Sequence, residues 1–195
     1  MGLRIILVRH GETEANRQKC FAHSEEIPLT DTGRQQAREA AKRLAVEFRP
    51  RRLLSSRFAR ARQTSQIIGH ELGLAVEILE GIHERDFGCL MGHPYPRMGE
   101  MMTLDPLFES DRHWLWRPEG GESLEDVRQR AVAVLDGVIG EARSKGHDYD
   151  VLVVCHGAVI QAISAHLTGN WTDASIPENC GVVIIEPELF GNGRT

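Results

Sequence analysis

The chain has 195 residues, a mass of 21.8 kDa and a formal net charge of −5. With 41% of its residues hydrophobic it can build a full core, which excludes disorder and small disulfide-stapled scaffolds. The acidic balance argues against a generic nucleic-acid binder, although nine histidines and six arginines over residues 49–62 set local positive charge against the global sign. Residues 4–8 form a β-branched run that stops at Arg9, His10 and Gly11, which predicts a buried strand opening into a loop. Over 32–48, Ala37, Ala41, Leu44, Ala45 and Phe48 share one helical face, with Thr32 and Gln35 as a capping box. A strand at 52–55, a helix at 60–72 and a strand at 75–79 follow. Residues 93–121 break the pattern: proline-rich and holding Trp114 and Trp116, they predict an insertion over one end of the sheet.

The helix predicted at 123–143 has a core stripe of Val127, Ala131, Val134, Leu135 and Val138, with Ser123 and Asp126 marking its start. Unbroken apolar runs at 151–154 and 182–185 predict strands covered on both faces, and a further helix begins just after His156. Alternation of strand and helix predicts an α/β fold, a three-layer α/β/α sandwich with a mostly parallel central sheet. The reading is of one domain over 1–195, with a cap-like segment inserted at about 93–121.

Cys20, Cys89, Cys155 and Cys180 are far apart and form no C-x-x-C pair, so neither a disulfide framework nor a zinc cluster is indicated. No stretch approaches the length of a membrane span, the N-terminus has no apolar signal region, and Ile6 stands where a myristoylation signal needs Ser or Thr. The expectation is a soluble cytoplasmic protein without membrane or nucleic-acid partners. A homodimer is one of the oligomeric states that the sequence leaves open.

Arg9 and His10 directly follow the first predicted strand, and Arg60 opens the helix after the second. Glu84 comes soon after the third, and His156 follows the run at 151–154. If these strands are parallel, the four segments emerge at one carboxyl edge, where open α/β sheets bind ligands. Arginine presents a planar fork of donors to phosphate oxygens and keeps its charge at any working pH. A neutral histidine nitrogen is a competent nucleophile for phosphorus. Gly11 would let a phosphate approach the backbone, a helix N-terminus after Ser56 would add N–H donors, and Glu84 is the carboxylate positioned as general acid. The set predicts a small phosphorylated substrate.

Leu7-Val8-Arg9-His10-Gly11-Glu12-Thr13 with Asn16 resembles the signature of the histidine phosphatase superfamily, the phosphoglycerate mutase-like family. The resemblance continues through Pro28-Leu29-Thr30 with Gly33, Gln36 and Ala37, and through Ser56, Arg60, Ala61, Gln63 and Thr64. It resumes at Glu84, Phe87 and Gly88, at Gly121-Glu122-Ser123-Leu124 and at Val154-Cys155-His156-Gly157. It implies a phosphoglycerate mutase-like fold and His10 as the nucleophile that becomes phosphohistidine. Arg9, Asn16, Arg60, His156 and Gly157 would hold the phosphoryl group, and Glu84 would serve as general acid and then base. No cofactor or metal is called for, because the protein supplies the positive charge.

The chain departs from many relatives at Ala22 and His23, where those carry Gln-Gly, and at Leu90-Met91-Gly92, where those carry Trp-Glu-Gly. His23 reads as an exposed loop residue without a role and Cys155 as buried filler. Arg49, Arg51, Arg52, Arg57 and Arg62 read as solvated, and Met98, Met101 and Met102 as a helix face packed on the sheet edge that can also cap a pocket. His70-Glu71 and His83-Glu84 lack the second histidine of a zinc-hydrolase motif. The leading expectation is a metal-independent phosphomonoesterase of the phosphatase branch. A 2,3-bisphosphoglycerate-dependent phosphoglycerate mutase uses the same core residues and is the first alternative. An inactive phospho-ligand binding module is the second, although it would need no nucleophile or acid. Only 37 residues lie between Glu84 and Glu122, and the tail after Phe190 is short; a smaller cover admits water and favours hydrolysis.

Overall fold

The computed structural model describes residues 2–109 and 112–190, so the tail after Phe190 lies outside the described residues. Five strands form one sheet: β1 (Arg4–Arg9), β2 (Pro50–Ser55), β3 (Val76–Ile78), β4 (Asp150–Cys155) and β5 (Val182–Ile185). Their order is β3-β2-β4-β1-β5. The first four run parallel and β5 pairs antiparallel with β1. The helices are α1 (Glu14–Arg17), α2 (Asp31–Glu47), α3 (Ala59–Leu72), α4 (Pro96–Met102), α5 (Leu124–Ser144), α6 (Gly157–Thr168) and α7 (Pro187–Phe190).

Side-chain alternation along the strands divides the core into two layers. Ile5, Leu7, Val151 and Val153 pack with Val127, Leu135, Ile160 and Ile163 of α5 and α6. Ile6, Val8, Leu152 and Val154 point the other way, onto Ala41 and Leu44 of α2 and Ile68 of α3. β4, at the centre, is buried along its whole length. The sandwich and its mostly parallel sheet are as the sequence predicts. β5 is not covered on both faces, however: it is an edge strand, and Ile184 is 48% exposed. An apolar run satisfies an edge strand as readily as a central one, so the pattern does not separate them.

Caps set the helix starts. Thr30, not Thr32, caps α2 by accepting from Gly33 N–H, which moves the start ahead of the predicted box with Gln35. Ser123 and Asp126 form the capping box of α5 as predicted. The insertion holds α4 and two short 3₁₀ turns, Pro106–Glu109 and His113–Leu115. Its methionines do not pack on the sheet edge. Met98, Met101 and Met102 join Phe87 around a separate cluster of Phe21, Leu90 and Trp116. Among the described residues no helix is long and apolar enough to cross a membrane.

Candidate active site

Because β1, β2, β3 and β4 are parallel, the segments that carry Arg9, His10, Arg60, Glu84 and His156 leave the sheet at one edge. A cavity of about 440 Å³ opens there, lined at its inner end by Arg9, His10, Asn16, Arg60, Glu84 and Gly157. Five of the predicted residues and Glu84's acid position are thus brought to one wall. His156 is not in that wall; it is fully buried behind His10, ring centroids 5.2 Å apart.

His10 is 2% exposed and its Nδ1 lies 2.7 Å from the carbonyl oxygen of Gly11. A carbonyl only accepts, so Nδ1 carries the proton and Nε2 keeps its lone pair. Burial, then the charges of Arg60 and Arg9, hold the ring's pKa well below its ordinary value and keep it neutral. The loop that carries it is braced from several sides. Gly11 N–H donates to Thr64 Oγ1, Glu12 N–H to Gln36 Oε1, and Asn179 Nδ2 to the His10 carbonyl. A Cβ on Gly11 would stand 2.5 Å from the carbonyl oxygen of Gly33. The close passage of α2 therefore requires the glycine, whatever a phosphate asks of it. Gly33, Gln36 and Thr64, which the sequence matched as motif, are the scaffold of the nucleophile loop.

Arg9 donates from Nη1 to the carbonyl of Pro177 at 2.7 Å, while its buried Nε has no partner. Arg60 is 3% exposed, lies over the Phe58 ring and makes one long bond to the Ser24 carbonyl at 3.4 Å. Burial lowers its pKa, opposed by Glu84 and Glu25. Neither arginine forms a direct ion pair among the described residues, so two guanidinium groups face the cavity without a carboxylate in contact.

His156 stands behind them. The Ser56 hydroxyl accepts from Phe58 N–H at 3.4 Å and shares a hydrogen bond of 2.8 Å with His156 Nε2. His156 Nδ1 is buried and unpartnered among the described residues. Burial and the neighbouring Arg60 keep this ring neutral too.

The helix N-terminus at the cavity is that of α6, with Gly157 and Ala158 in the wall; the N–H of Ala59, at the start of α3, is taken by the Glu25 carbonyl. A Cβ on Gly157 would meet Ile176 Cγ2 at 2.9 Å.

Glu84 accepts at Oε1 from Arg85 N–H at 2.9 Å and from Ala158 N–H at 3.2 Å, and Oε2 is left without a partner among the described residues. Arg130 braces its loop by donating to the carbonyls of Gly81, His83 and Glu84 while pairing with Glu122, which also accepts from Asp86 N–H. Arg130, Arg85 and Asn179 escaped the sequence reading, since nothing in their spacing separates them from surface residues. The Gly121-Glu122 motif was the signal that pointed here. Asn16 gives Oδ1 to Thr13 N–H and hydroxyl, which turns its Nδ2 toward Tyr95 at 3.5 Å on the cavity wall.

Of the other candidates, Cys155 is buried and its thiol is pushed far above the usual range by burial. Arg52, Arg57 and Arg62 are ion-paired with Glu77 and Glu141, with Glu25, and with Glu26, rather than simply solvated. His23 is exposed and lines a neighbouring cavity of about 500 Å³ that meets the first at Arg60 and Glu84. No group of three or more metal-binding side chains gathers among the described residues.

The family model for the histidine phosphatase superfamily, branch 1, matches residues 5–192. The chain belongs to this superfamily. It is similar to phosphoglycerate mutase-like protein 4 of Arabidopsis thaliana, 35% identical over 162 residues, covering 82% of this chain and 68% of that protein. It is also similar to the glucosyl-3-phosphoglycerate phosphatase of Mycolicibacterium vanbaalenii, 31% identical over 175 residues, covering 86% of this chain and 77% of that one. Among solved structures, a mycobacterial glucosyl-3-phosphoglycerate phosphatase in complex with VO3 matches with a TM-score of 0.81. That match has 26% identity and covers 94% of this chain and 90% of the other. The phosphoglycerate mutase-like fold of histidine phosphatases accounts for the strand order and for the site at the carboxyl edge.

Proposed function

We propose that this histidine phosphatase is a phosphomonoesterase that hydrolyses a small phosphorylated metabolite through a phosphohistidine at His10. The observation that carries the reading is the His10 Nδ1 bond to the Gly11 carbonyl, which leaves a neutral Nε2 beside two arginines that touch no carboxylate among the described residues. In the first half-reaction Nε2 attacks phosphorus and the bond from phosphorus to the ester oxygen breaks. Glu84 delivers a proton to the departing alcohol. In the second, water attacks the phosphohistidine, Glu84 takes its proton, and phosphate leaves with His10 restored. Arg9, Arg60 and the N-terminus of α6 stabilise the charge on the equatorial oxygens, and His156 backs the phosphoryl site from behind His10.

Similarity to a named phosphatase supports hydrolysis, and similarity to a mutase-like protein keeps isomerisation as the competing reading. The cavity favours hydrolysis. Beyond Arg9 and Arg60 its lining cations are Arg85, which donates to two carbonyls, and the exposed His113. A mutase needs further cations to hold phosphoglycerate in two orientations. The test is a panel of phosphate esters scored for free phosphate and for isomerised phosphoglycerate, with Glu84→Gln alongside. Phosphate release is expected to outpace isomerisation. Glu84→Gln should lose about 10²-fold or more on alkyl phosphates and much less on p-nitrophenyl phosphate, whose leaving group needs no proton. Faster isomerisation, or equal loss on both ester types, would overturn the reading.

A further inference from the structure

The outer half of the cavity differs in kind from the inner half. Its wall is made of Phe21, Phe87, Tyr95, Met98, Met102 and Trp116. Three of the rings pack on one another: Phe21 on Phe87 with centroids 4.3 Å apart, and Phe21 on Tyr95 at 5.0 Å. Behind them stands the cluster of Phe21, Leu90 and Trp116, so the wall is the front of a packed apolar unit rather than a set of isolated side chains.

Apart from the exposed His113 at the rim, the polar groups of this half are tied to the protein. Arg85 donates from Nε to the Glu122 carbonyl at 2.7 Å and from Nη2 to the Trp116 carbonyl at 3.1 Å. Its guanidinium also lies against the Phe87 and Trp116 rings, and the residue is only 7% exposed. Gln161 donates to the Ala174 carbonyl, and the Tyr95 hydroxyl faces Asn16. Both N–H groups of Arg85 Nη1 and the second of Nη2 are left without a partner among the described residues, held between the Phe87 and Trp116 rings. A carboxylate or a polyhydroxylated leaving group entering here would shed its water and regain few of the lost bonds. An apolar one would bury its surface against rings and thioethers, and Met98 and Met102 adapt to different shapes.

Resting on the phosphatase reading above, we infer that the substrate is the phosphate monoester of an apolar or aromatic alcohol, with the phosphoryl group on Arg9, His10 and Arg60 and the organic part against the Phe21–Trp116 wall. A cavity of about 440 Å³ lies in the lower part of the usual small-molecule range, which suits one such group of modest size. The three parts of the site then divide the substrate. The arginines read charge, Glu84 meets the bridging oxygen, and the wall reads the absence of polar groups.

The experiment compares kcat/KM for 2-phenylethyl phosphate and n-hexyl phosphate with that for glycerol 3-phosphate, phosphoserine and 3-phosphoglycerate. All are alkyl esters, so leaving-group basicity differs little across the set. The full chain is used, with Met102→Gln and Met98→Gln as separate variants. The apolar esters are expected to exceed the polar ones by about tenfold to a hundredfold, the effect of burying one hydrocarbon group. Either methionine variant should cut that ratio by about fivefold or more, and a ratio is readable in whichever variant folds. Polar esters turned over as fast as 2-phenylethyl phosphate would overturn the substrate class while leaving the phosphatase reading intact. Preference for 3-phosphoglycerate would hand Arg85 the role of carboxylate reader. A ratio unchanged in both variants would remove the wall from recognition and overturn the inference. Release of phosphate from none of the esters would sink the phosphatase reading and the substrate class with it.

Discussion

The two ends of the cavity are built by different means. At the inner end each reacting group is held by directional bonds from another part of the chain: His10 through Gly11 and Asn179, Arg9 through Pro177, Glu84 through Ala158 and Arg130. At the outer end the insertion is tied at its two ends, by backbone bonds to residues 19–21 and to Cys89 and by bonds from Arg85 to Trp116 and from Arg117 to Asp126. Between them it rests on packing, of Phe21, Leu90 and Trp116 and of Trp114 on Trp171. The difference follows from the tasks. In-line attack on phosphorus tolerates little error of position, so the chemistry sits on strand ends and hydrogen bonds. Apolar recognition depends on area and little on direction, so side-chain packing is enough for it.

The sharpest test of that division is Arg60→Ala. It should lower kcat/KM by about 10²–10³, as for loss of one donor to a developing anion. The loss should be alike for 2-phenylethyl phosphate and glycerol 3-phosphate, because both place the same phosphoryl group there. Steady-state kinetics on the two esters checks it, and a loss confined to one would join the two ends into a single unit.

Acid pH should act through the buried histidines. His10 and His156 are buried neutral, with pKa values well below their ordinary 6.5, and burial lowers His83 as well. Below that pH the unfolded chain binds protons at these rings that the native one refuses, so the stability they allow falls as pH falls. The slope is about 1.4 kcal/mol per pH unit for each ring. Urea unfolding at pH 7.5, 6.5 and 5.5 should show a small drop between the first two, about 0.35 kcal/mol per ring, and a drop about three times larger to the third. The acid limb of kcat/KM should lie below pH 6.5, since Nε2 stays unprotonated past that point. A limb at or above 6.5 would mean that His10 titrates as an exposed residue does.

The smallest effect is expected at the far side. Trp114 of the insertion stacks on Trp171 beyond α6, with centroids 5.8 Å apart and planes within 8°. Trp114→Ala should lower kcat/KM for 2-phenylethyl phosphate by about threefold to tenfold, in line with about 0.5–1.5 kcal/mol for an aromatic pair. Glycerol 3-phosphate should lose less. An equal loss on both esters would show that the insertion also positions the phosphoryl end.

Much of this is legible in the amino-acid sequence. Strands β1, β2 and β4 are short apolar runs ended by residues with a chemical task, and α5 has its periodic stripe and its Ser123 cap. The placement of Arg9, His10, Arg60 and Glu84 at one edge follows from parallel strands alone. The cap of α2 was misassigned by two residues because Thr30 and Thr32 both satisfy a capping pattern, and only the chain's approach to Glu12 decides between them. The insertion was visible as an interruption, but its docking on Phe21 was not, since aromatic and methionine side chains fit any apolar surface equally well.

By itself the sequence determined the layer order, the family and the chemical types gathered for phosphoryl transfer, because periodicity and residue type are local properties. Tertiary structure decided which nitrogen of His10 is free, that Arg9 and Arg60 touch no carboxylate among the described residues, that His156 stands behind His10, and that Gly11 serves α2. Each depends on an atom from a distant segment: Gly33 against Gly11, Pro177 on Arg9, Ser56 on His156. Protonation and charge compensation are set by the nearest partners in space, and sequence order does not record those.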